Sequence, residues 1–272
     1  MSASTIWRLL DRDALRPWRY RSWITARDPD FAAKAGRVLD LYEGWWEGRP
    51  LGPTDCVVSA DEKTSIQARG RCAPTTPPGH RRPMRVEHEY ARGGALAYLA
   101  AWDVRRGGAV GRCEATTGIA PFGRLVDQVM AQEPYRSAPR VFWIVDNGSS
   151  HRGAAAARRL QGCYPNLILV HLPTHASWLN QIEVYFSIVQ RKALTPNDFP
   201  DLSATERRLL AFEVLYNDTA VPFHWRFTRA DLERRLRRLP DLGPAEPIPE
   251  SAPPTRRSPP NLPCNCETEH LA

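Results

Sequence analysis

The chain has 272 residues, a net charge of +7 and a pI near 9.3, enough length for one substantial core plus a smaller module and a balance that suits an anionic partner. No apolar run is long enough to span a bilayer, and the first residues, with Arg8, Asp11, Arg12 and Asp13, lack a secretory apolar core. The six cysteines show neither a disulfide framework nor zinc spacing, so the chain reads as cytoplasmic and reduced, without membrane attachment.

Ser2–Leu15 has cap residues at Ser2 and Ser4 and apolar Ile6, Leu9 and Leu10, and reads as the last helix of a helix-turn-helix, the one that enters a major groove. The helices that would precede it are missing, so Met1 is expected to start inside a DNA-binding module. Arg16, Arg19, Arg21 and Arg27, interleaved with Trp18, Tyr20 and Trp23, are candidates with Arg8 to grip phosphates; an amphipathic helix with a solvated basic rim is the equal alternative. Phe31–Trp46 reads as a further helix, leading through Gly48–Pro53 into the main body.

Asp55–Asp61, DCVVSAD, reads as a strand with Asp61 at its exit, and Glu62 is a rival acid because sequence alone does not set strand register. Arg85–Ala91 and Leu96–Val104 read as two more strands joined by a turn at Arg92-Gly93-Gly94. Pro121–Gln132 has Phe122, Leu125, Val126 and Val129 at helical spacing. Arg140–Asp146, RVFWIVD, is five apolar residues ending in an acid, the pattern of a fully buried strand. Asn147-Gly148 then makes a turn, and Ser149 or Ser150 can cap a helix running to about Cys163. Asn166–Leu172 is another buried strand.

Pro173–Lys192, PTHASWLNQIEVYFSIVQRK, follows with a helical stripe of Leu179, Ile182, Phe186 and Val189. Glu183 stands beside that stripe in a row with Asn180 and Ser187, facing a cleft or water. Glu206–Tyr216 and Arg229–Leu239 read as helices, the second rich in arginine. From Pro240 to Ala272 nine of 33 residues are proline, a composition expected to be disordered.

Asp61, Asp146 and Glu183 are thus three acids from separate segments, two of them at strand ends, where sites of open α/β sheets gather. Carboxylates are hard ligands, and two or three suffice for Mg²⁺, which keeps several waters. Taken singly, an Asp after a strand is more often a turn residue, and a helical Glu is more often merely solvated.

SADEKTSIQ at Ser59–Gln67, VDNGSSH at Val145–His151 and HASWLNQIEVYFSIVQRK at His175–Lys192 resemble the three acidic motifs of bacterial insertion-sequence transposases of the mariner-like branch of the DDE superfamily. Their order matches, as does the interval of 36 residues between Asp146 and Glu183. The resemblance implies a ribonuclease-H-like α/β fold, a mixed sheet flanked by helices, over residues 51–239. Residues 1–50 would form a partial helix-turn-helix module and linker. It also implies two Mg²⁺ or Mn²⁺ ions on Asp61, Asp146 and Glu183, with Asn147, His151, His175, Trp178 and Asn180 shaping the site. The partner would be double-stranded DNA, cut at an element's inverted-repeat ends and joined through the freed 3′-hydroxyl to target DNA, typically at TA, by a homodimer. No phosphate-cradling glycine loop appears, so no nucleotide cofactor is expected. Arg191 and Lys192 are candidates for backbone contact, and they also complement the helix dipole. A non-catalytic DNA-binding remnant is the alternative. Of the 37 basic residues only three are lysine, a bias that phosphate binding and a GC-rich genome both explain.

Overall fold

A computed structural model describes residues 28–148 and 153–237, together with positions 2, 4, 5 and 8. Arg16, Arg19, Arg21, Arg27, His151 and the expected tail at 240–272 lie outside the described residues. Near the start, Ser4, Thr5 and Arg8 are helical, and the Ser2 hydroxyl accepts from the Thr5 N–H at 3.3 Å, as its expected capping role requires.

Helix α1 (Phe31–Tyr42) ends where Gly44 adopts φ +84°, a left-handed turn that costs glycine little. The expected helix to Trp46 is therefore cut short. Trp45–Trp46 (β1) instead pairs with Arg49–Pro50 (β2) in a small ribbon, and Trp46 packs on Phe142 with ring centroids 4.9 Å apart.

The main sheet has five strands in the order β5-β4-β3-β6-β7. They are β3 (Cys56–Arg71), β4 (Tyr90–Asp103), β5 (Ala109–Glu114), β6 (Val141–Val145) and β7 (Leu167–His171). The first three form an antiparallel meander, while β6 and β7 run parallel to β3. Helices α2 (Ile119–Met130) and α3 (Gly153–Cys163) provide the two crossovers. This is a ribonuclease-H-like mixed sheet.

Strand alternation sorts the core into two layers. Val58, Ala60, Leu99, Trp143 and Val145 face α2, whose Phe122, Leu125, Val126 and Val129 are buried. Val57, Tyr98, Trp102, Phe142 and Ile144 face the other layer. That layer holds α1, α4 (Ile182–Lys192), α5 (Leu202–Asn217) and α6 (Arg229–Leu236). Trp102 stacks on Phe223 at 4.1 Å, drawing the segment between α5 and α6 onto this face.

The hairpin departs from the expected strands. β3 runs ten residues beyond Asp61, so this acid is mid-strand rather than at an exit. Gly93 and Gly94 lie inside β4, where the register slips and the chain closes on Pro200 and Leu202. The true turn is at Arg105–Gly108, with the Gly107 N–H on the Asp103 carbonyl at 2.7 Å, and it leads into an unanticipated β5. Arg85–Ala91 forms no strand of its own apart from its last two residues, which begin β4.

Candidate active site

Ser59 pairs with Ile144 across the parallel β3–β6 ladder. Carried two residues further, that register sets Asp61 beside Asp146, on strands about 4.8 Å apart. Both acids continue the face of Val57, Ser59, Phe142 and Ile144, the face α4 covers. Glu62 instead sits opposite Leu99 and continues the Val58–Ala60 face toward α2. Asp146 follows β6, and its Oδ1 accepts from the Gly148 N–H at 2.7 Å, an Asx turn that fits the Asn-Gly signal.

Glu183 is the second residue of α4 and is exposed. What fixes this helix end is a buried polar lock absent from the sequence reading. The Ser59 hydroxyl accepts from the Ile182 N–H at 3.0 Å and donates to the Asn180 side-chain oxygen. Asn180 Nδ2 donates to the Ala60 carbonyl at 3.2 Å and lies 3.5 Å from Asp61 Oδ2. Asn180 is thus buried and extended rather than part of an exposed helical row with Glu183. The Tyr42 hydroxyl donates to the Leu179 carbonyl at 2.7 Å, and Asp28, held by Lys34, accepts from the Thr174 N–H at 3.0 Å. Residues around α1 therefore brace the loop that delivers Glu183. A small hydroxyl residue inside an apolar strand was the one available sign of Ser59.

Burial pushes the Asp61 carboxyl up to about 7; the charges of Asp146, Glu62 and Glu183 push the same way, against the Glu62 N–H that it accepts. Those charges act on Asp61, yet among the described residues no three His, Cys, Asp or Glu side chains stand close enough together to hold a metal ion. Glu183 is the exposed member of the three. The donor set still fits a hard divalent cation: all three groups are carboxylates, Asp146 and Glu183 both act on Asp61, and a cation offsets the repulsion that adds to burial in lifting it.

The remaining expected site residues are spread around this centre. Asn147 Nδ2 donates to the Leu172 carbonyl at 2.7 Å and ties the post-β6 loop to the end of β7. His175 is exposed at φ +61°. Trp178 is exposed, with its ring edge-on to Phe227 at 5.3 Å. Arg191 and Lys192 are exposed in the last turn of α4, about 12 Å along the helix axis from Glu183. Arg8 is exposed, its Nε on the Ser4 carbonyl at 3.3 Å. No helix among the described residues is long and apolar enough to cross a membrane.

No curated protein matches the sequence. Solved structures do resemble the fold. A pre-cleavage Mos1 transpososome is 16% identical with a TM-score of 0.55, covering 87% of this chain and 70% of that one. The mariner Mos1 paired-end complex with Mg is 17% identical with a TM-score of 0.54, covering 87% and 69%. The corresponding complex with Mn is 14% identical with a TM-score of 0.51, covering 76% and 66%. The chain thus spans about two thirds of the length of the transposases whose fold it shares. The family described as DDE superfamily endonuclease matches residues 56–206, more than half of the chain. This protein belongs to the DDE superfamily endonucleases.

Proposed function

We propose that this endonuclease is a transposase that cuts double-stranded DNA at terminal inverted repeats and joins the 3′ end to target DNA, at TA, as a homodimer. The observation that supports the reading is the β3–β6 register, which ends at Ser59 and Ile144, two residues short of Asp61 and Asp146, beneath the helix whose second residue is Glu183. The Mos1 structures of like fold are paired-end complexes, one with a transposon end and others with Mg and with Mn, and they support DNA and divalent ions as partners here.

In this reading Asp61, Asp146 and Glu183 hold two Mg²⁺ or Mn²⁺ ions. Bound there, such ions supply Lewis-acid stabilisation of the attacking and leaving oxygens of a phosphodiester displacement. Asp61 and Asp146 stay fixed by their strands, Asp146 with one oxygen on the Gly148 N–H. Glu183 swings in from the start of α4, whose place the Ser59–Asn180 lock sets. Asn147 keeps the loop around Asp146 against β7.

The test is a labelled duplex carrying the element's terminal repeats, incubated with Mg²⁺ or Mn²⁺ and with wild type or Asp146→Asn. Wild type should nick the duplex. The variant should not, because the amide keeps the shape but supplies no charge for the cation. Equal cleavage by both proteins, or none by either, overturns the enzyme and favours a DNA-binding remnant.

A further inference from the structure

A polar cleft starts at Lys63, two residues beyond Asp61 on β3, and is lined also by Gln190 of α4. It encloses about 730 Å³ between the outer half of β3, residues 86–90 and the segment after α4. Lys63 lies at the end nearer the acids, and Arg69 and Arg71 follow along the strand.

These cations are arranged for different work. Arg71 spends its guanidinium on backbone carbonyls: Asn197 at 2.9 and 3.0 Å, Glu87 at 2.7 Å and His88 at 3.2 Å. It staples the two walls together and leaves the cleft preformed. Arg69 sits over the Tyr90 ring at 4.7 Å, its Nε 3.4 Å from Gln67 Oε1. Its two Nη groups make no hydrogen bond among the described residues, and Lys63 forms no ion pair there. The one carboxylate in the lining, Glu87, is engaged by the Ala73 N–H. The cleft therefore carries uncommitted positive charge on a rigid frame, next to acids that would repel a phosphate until cations cover them.

We propose that this cleft binds a single strand of DNA leading away from the scissile phosphate, with Lys63 and Arg69 on its phosphates. The choice of ligand rests on the function proposed above. The cleft extends that function by giving the cut or displaced strand a path out of the site.

The test measures binding by fluorescence anisotropy across a salt series, with a labelled oligothymidine and a blunt mixed-sequence duplex, in EDTA so that nothing is cut. Arg69→Gln and Lys63→Gln are each compared with wild type, and thermal melts establish that they are folded. Should Arg69→Gln fail to fold, Lys63→Gln decides, since its ammonium braces nothing. Each variant should bind the oligothymidine several-fold more weakly, and its salt slope should be shallower by about 0.7, one phosphate contact on a single strand. Duplex binding should hold. Unchanged slopes, or equal losses for strand and duplex, refute the cleft. Because these readouts need no cleavage, the two claims fail separately: a nicking wild type with unaltered Lys63→Gln binding sinks only the cleft. Weakened strand binding by a protein that never cuts sinks only the nuclease.

Discussion

The Ser59 hydroxyl accepts from the Ile182 N–H and donates to Asn180, so one buried oxygen fixes where α4 begins and hence where Glu183 can reach. Ser59→Ala leaves the buried Ile182 N–H unsatisfied, a loss of about 1–3 kcal/mol. Urea melts should show a lower midpoint with an unchanged slope. Metal-dependent nicking should also fall at temperatures where the variant is fully folded. Undiminished nicking there would mean that Ser59 supports stability alone. Glu213 gives a second test at this scale. The Tyr98 hydroxyl donates to its Oε2 at 2.7 Å, and burial pushes its carboxyl from 4.5 up to about 7. Below pH 4.5 both folded and unfolded states carry the proton, and no cost arises. Between 4.5 and 7 the folded state binds more protons, so stability falls as pH rises. Above 7 the loss is complete, at most about 3 kcal/mol and less with residual solvent contact. Glu213→Gln should flatten this slope in melts from pH 5 to 8, and parallel curves for the two proteins would show that the carboxyl does not titrate there.

Among the elements, β6, β7 and α4 are legible in the sequence because each is buried on a clear pattern: VFWIV and LILVH are near-continuous apolar runs, and Ile182, Phe186 and Val189 repeat at helical spacing. The long hairpin is not. The start of β4 is exposed and the outer half of β3 mostly half-buried, with Ile66 and Ala68 its only buried residues, so the apolar signal there is short, and Gly93-Gly94 signals a turn where the strand merely bulges. β5 contains Gly111, which weakens any strand signal, yet the glycine is required: a Cβ there would run into the Tyr98 phenol. Site legibility divides the same way. Asp146 could be placed because it ends a buried run. The true address of Asp61 and the burial of Asn180 depend on cross-strand register and on a 3₁₀ turn, neither of which has a local signature. Gly111→Ala must displace Tyr98 from Glu213 and Tyr185, and should cost about 1–3 kcal/mol by overpacking. Combined with Glu213→Gln, its effect should be less than additive, since both disturb one network. Strict additivity in chemical denaturation would separate the clash from the hydrogen bonds.

Across the whole molecule, a chain of net charge +7 gathers Glu62, Asp146 and Glu183 close enough to act on Asp61, on and beside the central strands of the sheet. Folding brings together like charges that the unfolded chain keeps apart, so the assembled fold stores repulsion there. A divalent cation that binds only the folded arrangement shifts the unfolding equilibrium by mass action, about 2.7 kcal/mol at a hundred times its dissociation constant. Mg²⁺ or Mn²⁺ should therefore raise the melting temperature in a saturable way, and EDTA should reverse the rise. General ionic screening does not saturate in that manner, and equal ionic strength of Na⁺ is its control. Asp146→Asn relieves part of the repulsion while removing a ligand, so without metal it should melt at or above the wild-type temperature, and added metal should move it little. Glu213→Gln, which removes none of the three acids, should keep the full metal response. If Mg²⁺ and Mn²⁺ leave the wild-type melt unmoved, or move Asp146→Asn equally, the acids do not form a shared cation site.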